Sequence, residues 1–416
     1  MRILHVLHRS VPGTHGYAIR SREIVTNQLA HGLEPIVITS PSQAPLGNLD
    51  TDGSEIIDGI RYFRTCSRLL PGTTEVFDPS TLRSALRILQ NAVLWKTAMR
   101  IAGMYRPAVI HAHSPFTCGI IGDATGKLLK IPTLYEVRGI WEDSHTSRHG
   151  LSSTSLRYRA VRGLENLALR GADSTCTICE ALKSELESRG VNASNISVVP
   201  NGVDVRHFHP GPPGEQLKQA LGLQGKTVMG YIGSFFHYEG LDLLVQAMGG
   251  LAPEFPDLSL LLVGDGEVMP VLKTLGAQLG ISQRVVWAGK VPHDTITDYY
   301  RVCDFMVLPR KDTRETRLVT PLKPLEIMSM ARPLIASDIG GHREIIEDGM
   351  NGILFEPESL SDLVSKCSRL VRDEAYRAEL GAKGRSWVET HRDWDVLVLR
   401  YIDLYEKLVE RDRKRP

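Results

Sequence analysis

The stretch of the chain richest in chemical groups is Arg310-Lys311-Asp312-Thr313-Arg314-Glu315-Thr316-Arg317, followed by Leu318-Val319-Thr320-Pro321-Leu322-Lys323-Pro324-Leu325-Glu326. Four basic residues stand just past a predicted strand, and a helix is predicted to begin near Pro324. Helix N-terminal amides with Arg and Lys close by suit a phosphate group. Glu326, in the first turn, suits ribose hydroxyls or simply the positive end of the helix. Further on, Ser337-Asp338-Ile339-Gly340-Gly341-His342-Arg343-Glu344 sets paired glycines after a strand, where the backbone can approach a ligand closely.

The first half carries three more candidates. Pro12-Gly13-Thr14-His15-Gly16-Tyr17 leads from an apolar run into helical spacing, as in an anion-binding loop or a plain tight turn. It is not G-x-G-x-x-G, so the dinucleotide fingerprint is absent. His111-Ala112-His113-Ser114-Pro115 ends a predicted strand. There His113 can hydrogen-bond a hydroxyl, carry a proton near neutral pH, or serve the structure. Tyr135-Glu136-Val137-Arg138-Gly139-Ile140-Trp141-Glu142-Asp143 joins carboxylates, a guanidinium and an indole, groups that suit a sugar ring or a surface ion-pair cluster. Val199-Pro200-Asn201-Gly202-Val203-Asp204 reads as a turn and no more.

Two D-x-D matches, Asp50-Thr51-Asp52 and Asp393-Trp394-Asp395, follow no strand, which argues against a manganese site. Of six cysteines only Cys176 and Cys179 form C-x-x-C, inside an apolar run that reads as a buried strand. With no second pair nearby, structural cysteines are expected rather than a metal or redox centre.

These groups need elements to position them. Strand-like runs at 2–7, 34–39, 107–112, 132–137, 173–178 and 196–200 alternate with helical spacing such as 17–31 and 156–170. That rhythm predicts a mostly parallel sheet with helices on both faces. His209-Pro210-Gly211-Pro212-Pro213-Gly214 interrupts it, and the rhythm resumes with strands at 226–233, 258–264, 284–289, 304–308 and 333–337. Two doubly wound α/β domains are expected, residues 1–203 and 215–385, with a linker near 203–214. Ligands of such sheets bind outside the carboxyl ends of the strands, so both sites should face a shared cleft. One long helix is expected over 386–411.

The 416 residues carry 49 Lys+Arg against 48 Asp+Glu, a net charge of +1 that offers nucleic acid no global attraction. The N-terminus is too quickly polar for a signal peptide and no run spans a membrane, so a cytoplasmic protein is expected. Arg83, Arg87, Lys96 and Arg100 flank apolar residues in 80–102. That pattern suits an ordinary amphipathic surface helix or peripheral contact at the inner face of the cytoplasmic membrane.

In this order the motifs resemble glycosyltransferase family 4, whose two-domain fold is called GT-B. Val199-Pro-Asn-Gly-Val-Asp204, Val263-Gly-Asp-Gly-Glu267, Pro321-Leu-Lys-Pro-Leu-Glu326 and Gly340-Gly-His-Arg-Glu344 carry the resemblance. Arg2-Ile-Leu-His-Val-Leu7, Gly233-Ser-Phe-Phe-His-Tyr-Glu-Gly-Leu-Asp242 and Leu318–Glu326 look like the branch associated with bacterial exosortase and PEP-CTERM exopolysaccharide systems.

The resemblance implies a GT-B fold of two Rossmann-like domains, with a C-terminal helix (386–416) crossing back to the first. It implies a retaining, metal-independent hexosyltransferase that uses a nucleotide-sugar donor and a glycan or polyprenyl-linked acceptor, with no cofactor. Glu326 matches the ribose-binding glutamate, and Thr320, Pro321 and Leu322 the segment offering backbone donors to the diphosphate. His113 matches a histidine near the transferred sugar, and Gly13 and Gly16 the loop near the phosphates. His15, Glu136, Arg138 and Trp141 are expected on the acceptor side. The family's Arg and Lys after the first strand of the second domain are here Ser234 and Glu239, and the first glutamate of E-x7-E is lost. Lys323, Arg310 and either Arg314 or Arg317 are the cations expected in their stead. Two other readings are a non-catalytic donor-binding partner and another GT-B enzyme, such as a 2-epimerase or a phosphorylase.

Overall fold

The computed structural model describes residues 1–13, 15–65, 81–143, 155–212 and 214–414, except for the side chains of 81–87 and of His293. Thr14, Cys66, Pro213 and the side chains of Arg83 and Arg87 lie outside the described residues. The chain divides into two compact units, Met1–Pro200 with Trp394–Pro416, and Asn201–Asp393.

The first unit is built on an eight-stranded sheet. Its strands are β1 (Arg2–Leu7), β2 (Glu34–Thr39), β3 (Ser54–Ile57), β4 (Ile60–Arg64), β5 (Val109–His113), β6 (Thr133–Val137), β7 (Ser174–Thr177) and β8 (Ile196–Val198). They lie in the order β3-β4-β2-β1-β5-β6-β7-β8, parallel except for β3 against β4. The β3–β4 hairpin was not expected. It turns at Asp58-Gly59, both with positive φ, and Asp-Gly at that place is the sequence signal for such a turn.

The two faces of this sheet differ in chemistry. One buries Leu4, Val6, Ile110, Ala112, Tyr135 and Val137 with Leu94, Ala98 and Ile101 of the helix Thr81–Tyr105. The other buries Ile3, Val109 and Leu134 against Ile24 of the helix Gly16–Ala30 and Trp394, Leu397, Tyr401 and Tyr405 of the helix Trp394–Arg413. Because strand side chains alternate, His5, His111, His113 and Glu136 fall on this second face. The parallel register pairs His5 with His111 and His113 with Glu136.

The second unit holds a parallel six-stranded sheet, β9 (Thr227–Ile232), β10 (Leu258–Val263), β11 (Val285–Gly289), β12 (Phe305–Leu308), β13 (Leu334–Ser337) and β14 (Ile353–Phe355). The order is β11-β10-β9-β12-β13-β14. β14 was not expected; at three residues it is too short to show a period. The adjacency of β9 and β12 brings the loops after their carboxyl ends together.

Two boundaries differ from the sequence reading. The expected linker belongs to the second unit: Val203, Val205 and Phe208 lie in its core, and Arg385 donates to the carbonyls of Val205 (3.0 Å) and Phe208 (2.6 Å). The expected single terminal helix is two, Glu374–His391 in the second unit and Trp394–Arg413 in the first. The helix breaks where Arg392 gives its carbonyl to the Val203 N–H, 2.9 Å, and Asp393 bridges to Val203.

Candidate functional site

In the second unit, three elements deliver charge to one point. Glu239 ends the short turn His237–Glu239 after β9, Arg310 follows β12, and Lys323 opens the helix Lys323–Ser329. Arg310 donates from Nε and Nη2 to the two oxygens of Glu239, at 3.1 and 3.0 Å. Lys323 Nζ donates to Glu239 Oε1 at 2.6 Å and to the Tyr231 hydroxyl at 2.8 Å. That hydroxyl donates in turn to the Ser234 carbonyl, 3.0 Å. The local backbone is shaped to this cluster. Gly233, at φ +150°, leaves room that any Cβ would take from the Lys323 Cε, and a Cβ on Gly240 would overlap the Pro309 carbonyl.

The carboxylate lies at the back and the cations in front: the Glu239 side chain is 2% exposed, Arg310 12% and Lys323 16%. Burial works to raise the Glu239 carboxyl, but Arg310 and Lys323 outweigh it and hold it at about 2. Burial lowers the Lys323 ammonium, and Glu239 offsets part of that. Two cations and one carboxylate leave a net positive charge, which suits an anion.

The neighbouring expectations sort out as follows. Glu326 is half-buried; burial raises its carboxyl, and the Tyr300 hydroxyl donates to Oε2 at 2.8 Å. Ser234 is exposed, and Thr320 and Pro321 are buried. Pro321 has no N–H, so of Thr320, Pro321 and Leu322 only the outer two have an amide to give. Lys311 pairs with Asp242 at 3.0 Å. Arg317, an expected substitute cation, is turned to Asp312 at 2.6 Å; Arg314 stands exposed at the start of the short helix Arg314–Leu318.

Sequence reasoning missed two further groups. Asn201 Nδ2 donates to the Thr320 carbonyl, 2.8 Å, so the Asn-Gly turn braces the segment before Lys323. His342 Nδ1 donates to the Ser337 carbonyl, 2.8 Å, which leaves buried Nε2 an acceptor without a partner among the described residues. Burial, with Arg310 next, pushes that imidazole down to about 3.

In the first unit, Glu136 and Arg138 of the expected acceptor side join His113 in a closed ring of buried polar atoms. Arg138 only donates, so His113 Nδ1, 2.5 Å from its Nη2, must accept. His113 Nε2 then donates to His5 Nδ1 (3.0 Å), and His5 Nε2 to Gln28 Oε1 (2.8 Å). Gln28 Nε2 donates to the Tyr405 hydroxyl (2.8 Å), which donates to His111 Nδ1 (2.8 Å). His111 Nε2 faces Glu136 Oε2 at 3.1 Å, off the hydrogen-bond line, and Arg138 Nε returns to Glu136 Oε1 at 2.9 Å. Arg20 and Tyr401 add bonds to the same carboxylate, each 2.8 Å.

Three residues of the sequence reading lie in this ring: His113, Glu136 and Arg138 are 1%, 0% and 4% exposed, and the bonds above engage their polar atoms within the fold. Burial works to raise Glu136, yet Arg138 and Arg20 hold it well below the carboxylate range. Burial lowers His5 to about 3 and also lowers His111 and His113. His5, His111 and His113, and likewise His111, Glu136 and Cys176, are close enough together to hold a metal ion. In the ring, however, each imidazole nitrogen already faces a hydrogen-bond or charge partner. Cys118, Cys176, Cys303 and Cys367 are free and buried, and Cys179 is buried.

Other expected residues stay near the surface. His15 is exposed and caps the helix that begins at Gly16. The Gly13 N–H donates to the Ser10 carbonyl, 3.0 Å. Half-buried Trp141 meets Tyr17 at 5.6 Å and the edge of His8 at 6.4 Å, ring centre to ring centre.

Each unit matches a known family model: residues 15–207 that of "Glycosyltransferase Family 4" and residues 214–387 that of "Glycosyl transferases group 1". A curated relative, the GDP-mannose-dependent alpha-(1-6)-phosphatidylinositol monomannoside mannosyltransferase of Mycolicibacterium smegmatis, is 24% identical over 64% of this chain and 70% of its own. Among solved structures, sucrose-phosphate synthase of Thermosynechococcus elongatus superposes with TM-score 0.77 at 21% identity, over 98% of both chains. Anabaena HepE in complex with UDP-glucose does so with TM-score 0.71 at 20% identity, over 98% of this chain and 100% of its own. Both halves of the chain, its parallel sheets and its structural neighbours agree, and the protein is a glycosyltransferase with the GT-B fold.

Proposed function

We propose that the protein transfers a hexose-type sugar from a nucleotide-sugar to a glycan or lipid-linked acceptor, with retention at the anomeric carbon and without a metal ion. The observation that carries this reading is the Lys323–Glu239–Arg310 cluster. Lys323 Nζ has three N–H donors and gives two within the fold, and Arg310 keeps Nη1 beyond its Glu239 contacts. Those remaining donors meet the charge that grows on a departing diphosphate, the work a divalent metal does elsewhere. The Thr320 and Leu322 amides serve the same phosphates, and Glu326 accepts from ribose hydroxyls. The acceptor hydroxyl attacks on the face the nucleotide leaves and gives its proton to the departing phosphate oxygen, so no protein base is needed. Trp141 supplies an apolar face for the acceptor, and His15 a polar group.

A relative that uses GDP-mannose and a structural neighbour solved with UDP-glucose support a nucleotide-sugar donor of either base. The motifs shared with the exosortase-associated branch support a place in exopolysaccharide synthesis. The helix Thr81–Tyr105 supports peripheral contact with an anionic membrane, from the cytoplasmic side. The test is a transfer assay with UDP- and GDP-hexoses and a polyprenyl-diphosphate-linked sugar, the product read by NMR at the anomeric proton. An inverted product, or turnover of donor without any acceptor, sinks the reading. Lys323→Ala is expected to lower transfer by about 10²–10³-fold; activity within a few-fold of the parent removes Lys323 from the role.

A further inference from the structure

We infer that Glu239 is a positioning residue that fixes Lys323 and Arg310 and, by its charge, limits how tightly the departing nucleoside diphosphate is held. The inference rests on the donor reading above and adds to it a role for a carboxylate where a cation is expected. A carboxylate facing a diphosphate would repel it. Glu239 does not face it: it lies behind the two cations, nearly fully buried, while both of them reach the surface.

Its contacts divide the labour. Arg310 is held in a two-point fork, which fixes the plane of the guanidinium. Lys323 is held by Oε1 and by the Tyr231 hydroxyl, which fix two of its three N–H directions and leave the third outward. Neither cation can move without breaking a charged hydrogen bond. Buried cations also repel one another, and the carboxylate between them removes that cost before substrate arrives. The cluster is thus preorganised, with no side chain to reorient as charge develops on the leaving group.

The same carboxylate weakens ground-state binding. With Glu239 the cluster offers a diphosphate one net positive charge; without it, two. Removing the charge but not the shape should tighten the nucleoside diphosphate while slowing the chemistry, a split that simple loss of structure does not produce.

The test uses the full-length protein with UDP and GDP as probes, binding by calorimetry and transfer rates with the matching nucleotide-sugar. For Glu239→Gln the expected result is a Kd for the bound nucleotide about fivefold lower, with a steeper salt dependence. kcat should fall about tenfold or more. Glu239→Asp, which keeps the charge, should leave Kd within about twofold and recover part of kcat. Should Glu239→Gln fail to fold, Tyr231→Phe replaces it: it removes one of the two bonds that fix Lys323 beside Glu239 without changing the charge, so kcat should fall while Kd does not tighten. A kcat unchanged by the variant used, or a Kd and kcat that worsen together, overturns the positioning role. If the parent protein binds neither nucleotide and transfers nothing, the donor reading fails and this inference with it. Parental binding and transfer with a silent Glu239 variant sinks this inference alone.

Discussion

At Glu136, two guanidinium groups, a tyrosine hydroxyl and an imidazole converge on one carboxylate with no water-facing atom. Such a centre is stable only while complete, because each partner removed leaves another charge buried and unpaired. Glu136→Gln is therefore expected to destabilise the protein by about 3–5 kcal/mol, read as a fall in denaturation midpoint, with Lys323 chemistry affected only through folding. The residue types were legible in the sequence: His111, His113, Glu136 and Arg138 all stood at strand ends. Their orientation was not. His113 and Glu136 become neighbours through the β5–β6 register, and Gln28 and Tyr405 reach the ring from helices far apart in the chain. For the same reason Glu239 looked like a lost cation, since its pairing with Lys323 spans 84 positions.

Among the elements, the helix Thr81–Tyr105 is the one whose composition points outward. It contains Arg83, Arg87, Lys96 and Arg100 and no Asp or Glu. Ile88, Leu89, Trp95 and Met104 are exposed on it, at 73, 52, 42 and 62%. Apolar side chains beside cations fit an anionic lipid surface, worth about 1 kcal/mol per basic residue near it. No described helix is long and apolar enough to cross a membrane. Co-sedimentation with vesicles containing phosphatidylglycerol is expected, weakened at high salt and absent with phosphatidylcholine alone. Ile88→Glu with Trp95→Glu should abolish it without lowering the melting temperature, and persistent binding by that variant excludes this helix. The strand–helix rhythm behind these elements was legible nearly throughout, because period-2 and period-3.6 patterns are local. The break of the terminal helix at Arg392 was not, because a backbone bond to the distant Val203 makes it.

For the whole molecule, histidines that the fold holds neutral tie stability to pH. His5 and His8 lie at about 3 in the fold, burial being the first cause for each, and His111 and His113 are lowered too. Above the ordinary histidine value of 6.5 both the folded and the unfolded chain hold these rings neutral. Below it only the unfolded chain takes up protons, so stability falls as pH drops from about 6.5 toward 3, by on the order of 1 kcal/mol per pH unit for each such ring. Glu165, raised to about 7 chiefly by burial, works the other way between about 7 and 4.5, one group against several. Glu239 adds its own loss only below about 4.5, the ordinary value for such a carboxyl. Melting scans from pH 8 to 4 should show a maximum near neutrality and a steady fall through pH 6 to 5; a flat profile there contradicts the neutral ring.

The sequence by itself determined the two sheets, most of their strands, the family resemblance and the cationic segment after β12. Those depend on residue types and short-range periodicity, which need no partner to be read. Tertiary structure alone decided which polar groups are buried and which meet. It drew Glu136 and Arg138, two of the four expected acceptor residues, into a closed internal ring with His113. It also drew Lys323 and Arg310 onto Glu239, because strand order and register, not spacing along the chain, set the distance between side chains.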